Sequence, residues 1–289
     1  MLKRNVTAVL LIAVGLFFLL YLRTLYVALA DILFFLFIAV GAYEMATVGK
    51  KSGYHSMPIP ILFYGVIFYP AFGFFSLAGV LAAFFLSIVL LLSDFVLERK
   101  KYTLNDALYT VLVLVYPMLL GSAFFYINHD AGNLLGIFFL LLVTLLSDAF
   151  ALFAGVLFGK KKLIEDVSPK KTVAGVFGAY FGGLLGATVT FLLFDVFSVF
   201  SSFGNVGLLR LFDSYALSIP VYYALALLAT TLAIFGDLAA SLIKRKLEVK
   251  DFGRIFPGHG GVMDRLDSLL FVAPIVCAFF VIYNGVVYL

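Results

Sequence analysis

The stretch 241-SLIKRKLEVKDFGRIFPGHGGVMDRLD-267 is a polar island between long apolar runs. It contains six of the chain's 20 Lys and Arg residues, four of its 16 Asp and Glu residues and one of its three His residues. Lys and Arg neutralise phosphate oxygens, glycine lets backbone N–H groups approach them, and carboxylates hold Mg²⁺. The stretch therefore predicts a site for phosphates and a divalent metal. The alternative is a juxtamembrane basic loop that sets topology and contacts anionic lipid, although such a loop does not need carboxylates at fixed intervals.

The apolar runs continue through the rest of the chain. Hydrophobic residues make up 64% of the sequence and charged residues only 12%, with a mean hydropathy of +1.14. Soluble domains are about half apolar and a quarter charged, so we expect an all-α integral membrane protein, a bundle of about nine transmembrane helices. An N-terminal transmembrane region, 1–130, has about five of these helices, and a C-terminal catalytic transmembrane region, 131–289, has the rest. The predicted segments are 5–22, 25–47, 58–75, 77–97, 104–128, 132–157, 172–195, 218–243 and 268–288.

The basic residues predict the orientation of the chain. With nine crossings and a cytoplasmic N-terminus, 18 of the 20 Lys and Arg residues share one side, and only Arg23 and Arg210 lie opposite. Cytoplasmic loops are enriched in Lys and Arg. The N-terminus is therefore predicted inside and the C-terminus outside.

Carboxylates also lie inside or at the ends of the apolar runs, where a charge costs roughly 2.5–3.5 kcal/mol on insertion scales. Asp148 and Asp237 each lie on a helix within about three turns of the basic cytoplasmic loop that follows. Both are predicted to point into a cavity beneath that loop. The remaining four are interpreted as interfacial (Asp31, Asp94 and Asp195) or as a partner of the basic Lys50–Lys51 loop (Glu44).

The loop 159-GKKKLIEDVSPKKT-172 is a second basic stretch. Ser168 and Pro169 suggest a turn, after which Lys170, Lys171 and Thr172 are predicted to open a helix. The N-terminus of a helix suits a phosphate because its N–H groups are unpaired and its dipole end is positive. A capped helix start with topogenic lysines is the alternative.

Two further spacings concern helix packing and metal binding. Asp264 and Asp267 share a face if the last helix has begun by then, and with Asp237 they make a plausible metal site. Capping of that helix by Asp264 is the alternative, and it does not exclude metal binding. Small residues at positions 178, 182 and 186 predict close helix packing in lipid.

The stretch 241–267 resembles the signature of the phosphatidate cytidylyltransferases, also called CDP-diacylglycerol synthases. A second stretch of that family, Asp-x-x-Ala followed by F-G-K and S-P-x-K-T, is similar to 148–172. The family usually has Tyr where this chain has Leu152, and an aromatic and an acidic or amide residue where it has Val173 and Ala174, which bears on substrate contacts. The matching positions are Ser241, Lys244, Arg245, Lys250, Asp251, Gly253, Phe256, Pro257, His259, Gly260, Gly261, Asp264, Arg265 and Asp267 in the first stretch, Asp148, Ala151, Phe158, Gly159, Lys160 and 168–172 in the second, and Gly236-Asp237 and Tyr43-Glu44 elsewhere.

The resemblance implies transfer of CMP from CTP to phosphatidic acid, giving CDP-diacylglycerol and pyrophosphate, by a multi-pass protein of the inner (cytoplasmic) membrane. It implies Mg²⁺, paired with K⁺, although the spacing shows no second ion. The implied catalytic residues are Asp237, Asp264, Lys244, Arg245 and His259; the substrate-binding residues are Ser168, Lys170, Lys171, Thr172, Ser241, Lys250, Asp251, Gly260, Gly261 and Arg265; and the metal ligands are Asp148, Asp237, Asp264 and Asp267.

The acceptor chemistry bears on His259. A phosphate monoester has a second pKa near 6, so the lipid is mostly dianionic at neutral pH and needs no general base. His259 is therefore interpreted as a hydrogen-bond donor or positioning group, with general base as the alternative.

Other functions remain open at this point. A CTP-dependent polyprenol kinase or an archaeal-lipid cytidylyltransferase would share the metal and nucleotide chemistry but not the acceptor. A transporter or lipid scaffold would place charges at mid-bilayer on several helices rather than at one membrane face. The partners expected are CTP, phosphatidic acid, the bilayer and, as an option, a second copy of the chain, with no nucleic acid.

Overall fold

The structure, a computed structural model, describes residues 13–129, 133–256 and 260–287. The apolar runs form helices because a backbone in lipid must satisfy its hydrogen bonds internally. The helices are α1 (Ala13–Leu25), α2 (Ala28–Lys51), α3 (Pro58–Leu97), α4 (Leu104–His129), α5 (Asn133–Phe158), α6 (Val173–Val196), α7 (Tyr215–Lys246) and α8 (Met263–Val287), and the strands are β1 (Lys162–Ile164) and β2 (Ser168–Thr172).

Seven of the helices in the described ranges, α2 to α8, are long and apolar enough to cross a bilayer. The helix α1 is shorter. The prediction of a helical membrane protein is confirmed, whereas nine crossings and the orientation of the termini stay predictions. The described residues between α6 and α7 and between α7 and α8 are non-helical.

The helix α3 consists of two arms that fold back on each other. Its backbone breaks at Ser76, where φ is 51° and ψ is −138°. The rings of Tyr64 and Phe84 meet edge to face with centroids 6.2 Å apart. Twenty residues of straight helix would separate them by about 30 Å, so the arms are antiparallel. The break at Ser76 separates the two segments predicted at 58–75 and 77–97.

The row of small residues on α6 packs against α5, as predicted. A Cβ added at Gly178 or Gly182 would overlap the carbonyl oxygens of Phe150 or Leu146 on α5. The opposite order of these contacts along the two helices makes α5 and α6 an antiparallel pair. This close approach places the end of α5 beside the start of α6, where Asp148 and Thr172 lie.

A short β-hairpin joins α5 to α6 and corrects one expectation. Ser168 and Pro169 were predicted to form a turn, with Lys170 to Thr172 opening a helix. That prediction is wrong, because 168–172 forms β2, antiparallel to β1 with Lys162 opposite Thr172. Helix α6 begins only at Val173, and the Thr172 hydroxyl caps it by accepting from the Gly175 N–H at 3.1 Å. The lysines therefore lie on an extended strand.

Two of the buried carboxylates are held by hydrogen bonds within the bundle. Asp31, near the start of α2, accepts from the Tyr69 hydroxyl at 2.7 Å and the Asn128 amide at 2.8 Å. Asp195, at the end of α6, accepts from the Tyr222 hydroxyl at 2.8 Å. These partners account for the burial of both groups without a ligand.

We expect Gly182→Ala to destabilise the protein, because its Cβ would force α5 and α6 apart. Overpacking of this kind costs about 1–3 kcal/mol. Gly73→Ala is the matched control, since a Cβ there meets no atom within 4 Å. Thermal unfolding in detergent should give a lower midpoint for Gly182→Ala only, and equal midpoints would contradict the packing described.

Candidate functional site

A cavity of about 780 Å³ lies among β2 and the ends of α5, α6, α7 and α8. The fold gathers charged residues from β2, α5, α7 and α8 in its walls. Predicted site residues in its walls are Asp148, Ser168, Lys170, Lys171, Thr172, Lys244, Asp237, Asp251, Asp264, Arg265 and Asp267.

Asp237 on α7 is paired with a lysine from the hairpin. The Lys171 ammonium lies 2.9 Å from Asp237 Oδ2 and also donates to the Ile234 carbonyl at 3.3 Å. On the other side, Ser241 donates to Asp237 Oδ1 at 3.4 Å, one helical turn further along α7. β2 thus brings a cation to a carboxylate on a helix that is distant in sequence.

Asp264, in the first turn of α8, is buried and fully engaged. Its Oδ1 lies 2.8 Å from the Lys244 ammonium, and its Oδ2 accepts from the backbone N–H groups of Phe252 at 2.9 Å and Gly261 at 3.0 Å. The Lys244 ammonium also lies 5.3 Å from the Phe252 ring centroid, within range of a cation–π interaction. The charge-assisted hydrogen bonds from Lys244, Phe252 and Gly261 fix the orientation of the Asp264 carboxylate.

Asp267 and Asp148 complete the acidic side of the cavity. Because α8 begins at Met263, Asp264 and Asp267 lie one turn apart, and both line the cavity. Asp148 on α5 and Asp267 are both close enough to Asp237 to interact with it electrostatically. Like charges in one cavity repel, so this cluster favours a cation among its members.

The walls carry equal numbers of positive and negative groups. Five carboxylates (Asp148, Asp237, Asp251, Asp264 and Asp267) face five cations (Lys162, Lys170, Lys171, Lys244 and Arg265), which gives a formal sum of zero. A polyphosphate would therefore meet no net positive charge from these walls.

The donor set is compatible with Mg²⁺. Among the residues that the structure describes, no three His, Cys, Asp or Glu side chains are arranged as a metal cluster. Mg²⁺ in nucleotide enzymes is commonly held by one or two carboxylates together with substrate phosphates and water. Four aspartates on one cavity therefore fit the ion without forming an all-protein cage.

Some predicted residues lie outside the cavity walls. Ser241 contacts Asp237, Gly261 contacts Asp264, and Arg245 donates through Nε to the Val167 carbonyl at 3.4 Å. Lys250 is exposed, and Gly260 adopts a φ of 85° in the turn before α8. His259 lies outside the described residues.

Glu44 and Lys162 have positions that the sequence analysis did not predict. Glu44 was expected to pair with the Lys50–Lys51 loop, and this prediction is wrong. Its Oε2 instead accepts from the Met263 N–H at 2.9 Å, beside the candidate site. Lys162 lines the cavity from β1. A carboxylate within an apolar helix was the sequence feature that marked Glu44. It did not identify the partner, which is 219 residues away in the chain.

This geometry defines a polytopic helical membrane protein with a charged cavity at one end of its helices. The model of the cytidylyltransferase family matches residues 2–283, and the chain belongs to this family.

Curated relatives of the chain include three bacterial proteins named phosphatidate cytidylyltransferase. The Bacillus subtilis protein is 32% identical over 280 residues, which cover 87% of this chain and 94% of the relative. The Thermotoga maritima protein is 35% identical over 176 residues, covering 61% of this chain and 60% of the relative. The Staphylococcus epidermidis protein is 34% identical over 201 residues, covering 70% and 68%.

Proposed function

We propose that this protein transfers CMP from CTP to phosphatidic acid and releases CDP-diacylglycerol and pyrophosphate. The observation that carries the proposal is the mixed character of the cavity. Its charged walls suit a triphosphate, while Leu152 and Val156 add exposed apolar surface on α5 at the same cavity. An amphipathic lipid phosphate needs both kinds of surface. The shared name of the curated relatives supports the same reaction.

The reaction is a displacement at the α-phosphorus of CTP. A phosphate oxygen of the lipid forms the new bond, and the bond between the α-phosphorus and the bridging oxygen of pyrophosphate breaks. The attacking phosphate is mostly dianionic at neutral pH, so no proton has to be removed from it. The protein therefore has to bring two polyanions together and stabilise the charge on the leaving pyrophosphate.

The lysines of the cavity would perform the first of these tasks. Lys162 lines the cavity from β1, Lys170 and Lys171 from β2, Lys244 from α7 and Arg265 from α8, so its cations come from four elements. Lys171 and Lys244 are held by Asp237 and Asp264 at 2.9 and 2.8 Å, which keeps their ammonium groups in place.

Asp237 and Asp264 would hold Mg²⁺, with Asp148 and Asp267 beside them. When bound, the ion would supply positive charge to the phosphate oxygens of CTP. This charge matters because the charged groups of the walls sum to zero. The aspartates would orient the nucleotide by binding the ion, and the lysines would bind the oxygens that the ion does not reach. K⁺ as a second ion stays a prediction.

We further propose that the site faces the cytoplasm, where CTP is found, in the inner membrane. The 18-to-2 division of Lys and Arg supports this orientation. Nine crossings would follow if α1 and both arms of α3 each span the bilayer. Homodimer formation stays a prediction.

Purified protein should convert labelled CTP and phosphatidic acid into CDP-diacylglycerol with release of pyrophosphate, and only when Mg²⁺ is present. The products separate the alternatives. A polyprenol kinase would release CDP and phosphorylate an alcohol, and an archaeal-lipid enzyme would prefer an ether-linked isoprenoid acceptor. Either result, or activity that is unchanged in EDTA, would contradict the proposal.

Asp237→Asn and Asp264→Asn should each abolish turnover, because each loses a metal-binding oxygen and a negative charge. Asp213→Asn is the control, since Asp213 is fully exposed and lies 3.9 Å from Arg210 away from the cavity. Turnover and Mg²⁺ dependence should be measured on folded protein in detergent. Wild-type Mg²⁺ dependence in Asp237→Asn would exclude it as a ligand.

His259→Gln should retain measurable activity, whereas His259→Ala should lose more, because Gln keeps a hydrogen-bond donor. The rate of His259→Gln should still rise as pH passes through the second pKa of the lipid phosphate. A general base would behave differently: both substitutions would cost about 10²–10⁴-fold, and the acidic limb of the pH profile would disappear.

A further inference from the structure

We infer that Glu44 is a positioning residue for the transfer reaction, contributed by the N-terminal half of the chain. It holds the loop between α7 and α8 in the shape that orients Asp264 toward the cavity. The inference rests on the proposed role of Asp264.

Glu44 is a buried carboxylate with an incomplete set of partners. Its side chain lies on the apolar helix α2 and is only 4% exposed. Oε2 accepts from the Met263 N–H at 2.9 Å, while Oε1 has no hydrogen-bond partner in the described parts of the chain. An under-satisfied carboxylate in a membrane helix is costly and marks a functional position more often than a packing one.

The loop closes tightly around this carboxylate. A Cβ added at Gly253 would overlap Glu44 Oε1, and one added at Gly261 would overlap both carboxylate oxygens. Gly253 precedes residues 257–259 in the chain and Gly261 follows them, so Glu44 contacts the segment between α7 and α8 at two separate points. Glycine is required at both positions because the Glu44 side chain occupies the space that a larger residue would need.

These contacts lead directly to Asp264. The amides that bind Asp264 Oδ2 belong to Phe252, next to Gly253, and to Gly261 itself. Met263, whose N–H binds Glu44, precedes Asp264 in the chain. Glu44 therefore contacts the backbone at Gly253 and Gly261, next to or at the residues whose N–H groups bind Asp264. This leaves Asp264 Oδ1 directed toward Lys244 in the cavity wall.

A second contact fixes α2 against the same region. Ser52, at the C-terminus of α2, donates from its hydroxyl to the Leu247 carbonyl at 2.7 Å, just after the end of α7. Helix α2 thus contacts the start of the loop through Ser52, and Gly253, Gly261 and Met263 through Glu44. The N-terminal half of the chain acts on the site through these contacts rather than by lining the cavity.

The test compares Glu44→Ala with Glu44→Gln, which keeps an acceptor for the Met263 N–H. Glu44→Ala should lower kcat by about 10²-fold, the effect of a displacement near 1 Å at a reacting centre, while Glu44→Gln retains a tenth or more of the activity. Hydrogen exchange measured without Mg²⁺ should be faster in peptides covering 251–266 of Glu44→Ala, with no change in α5 or α6.

Asp31→Asn is the matched control. Asp31 is also buried on the same helix, but its partners are Tyr69, Asn128 and His129. It should lower the unfolding temperature, leave kcat within about threefold and leave exchange in 251–266 unchanged. If Glu44→Ala cannot be purified folded, Gly253→Ala decides, because it displaces the carboxylate without removing it and should give the same loss of kcat and faster exchange.

The outcomes separate the inference from the role of Asp264. If Asp264→Asn is inactive while Glu44→Ala, or Gly253→Ala in its place, keeps wild-type kcat and exchange, the positioning role is wrong and the proposed site stands. If Asp264→Asn turns over at the wild-type rate, the proposed role of Asp264 is wrong, and the positioning inference fails with it.

Discussion

The pairing of aspartates with lysines is the interaction on which the rest of the site depends. The pairs Lys171–Asp237 and Lys244–Asp264, with contacts of 2.9 and 2.8 Å, lie at one end of the helical bundle. Removing Lys244 would leave the buried Asp264 carboxylate uncompensated in a poorly solvated place, which is strongly unfavourable. The elements that carry these residues, β2, α7 and α8, must therefore meet at one point.

Helix packing brings these elements together. The glycine row of α6 lies against the α5 backbone, so the end of one helix and the start of the other are adjacent, and the hairpin between them projects over α7. From there Lys171 reaches Asp237 and the Ile234 carbonyl. At the opposite end of the bundle, Asp31 and Asp195 are bound by neighbouring side chains. Aspartates therefore have different roles at the two ends of the bundle. At one end they hold helices together through hydrogen bonds, and at the other they cluster in the walls of the cavity.

Sequence reasoning predicted the parts of the site that depend on residue type and local spacing. Asp148 and Asp237 precede basic loops and line the cavity. Asp264 and Asp267 are one turn apart because α8 begins at Met263, before the predicted segment 268–288. It failed where a contact decided the conformation. The segment 168–172 is a strand because it pairs with 162–164, although Ser-Pro followed by lysines is compatible with a turn and a helix start. Glu44 was assigned to the nearest lysines, but its hydrogen-bond donor is distant in sequence.

The sequence by itself determined the membrane class, the approximate helix boundaries and the residues able to bind phosphate and metal. These follow from hydropathy, charge and spacing, which are local properties of the chain. Only the tertiary structure decided which carboxylate faces which lysine and that the Glu44 carboxylate packs against Gly253 and Gly261. Each of these contacts joins residues that are far apart in the sequence, so residue type and local spacing do not specify it. Their physical cause is packing between elements. A glycine on one element lets another element approach closely, and a charged side chain is stabilised only where an opposite charge on another element lies beside it.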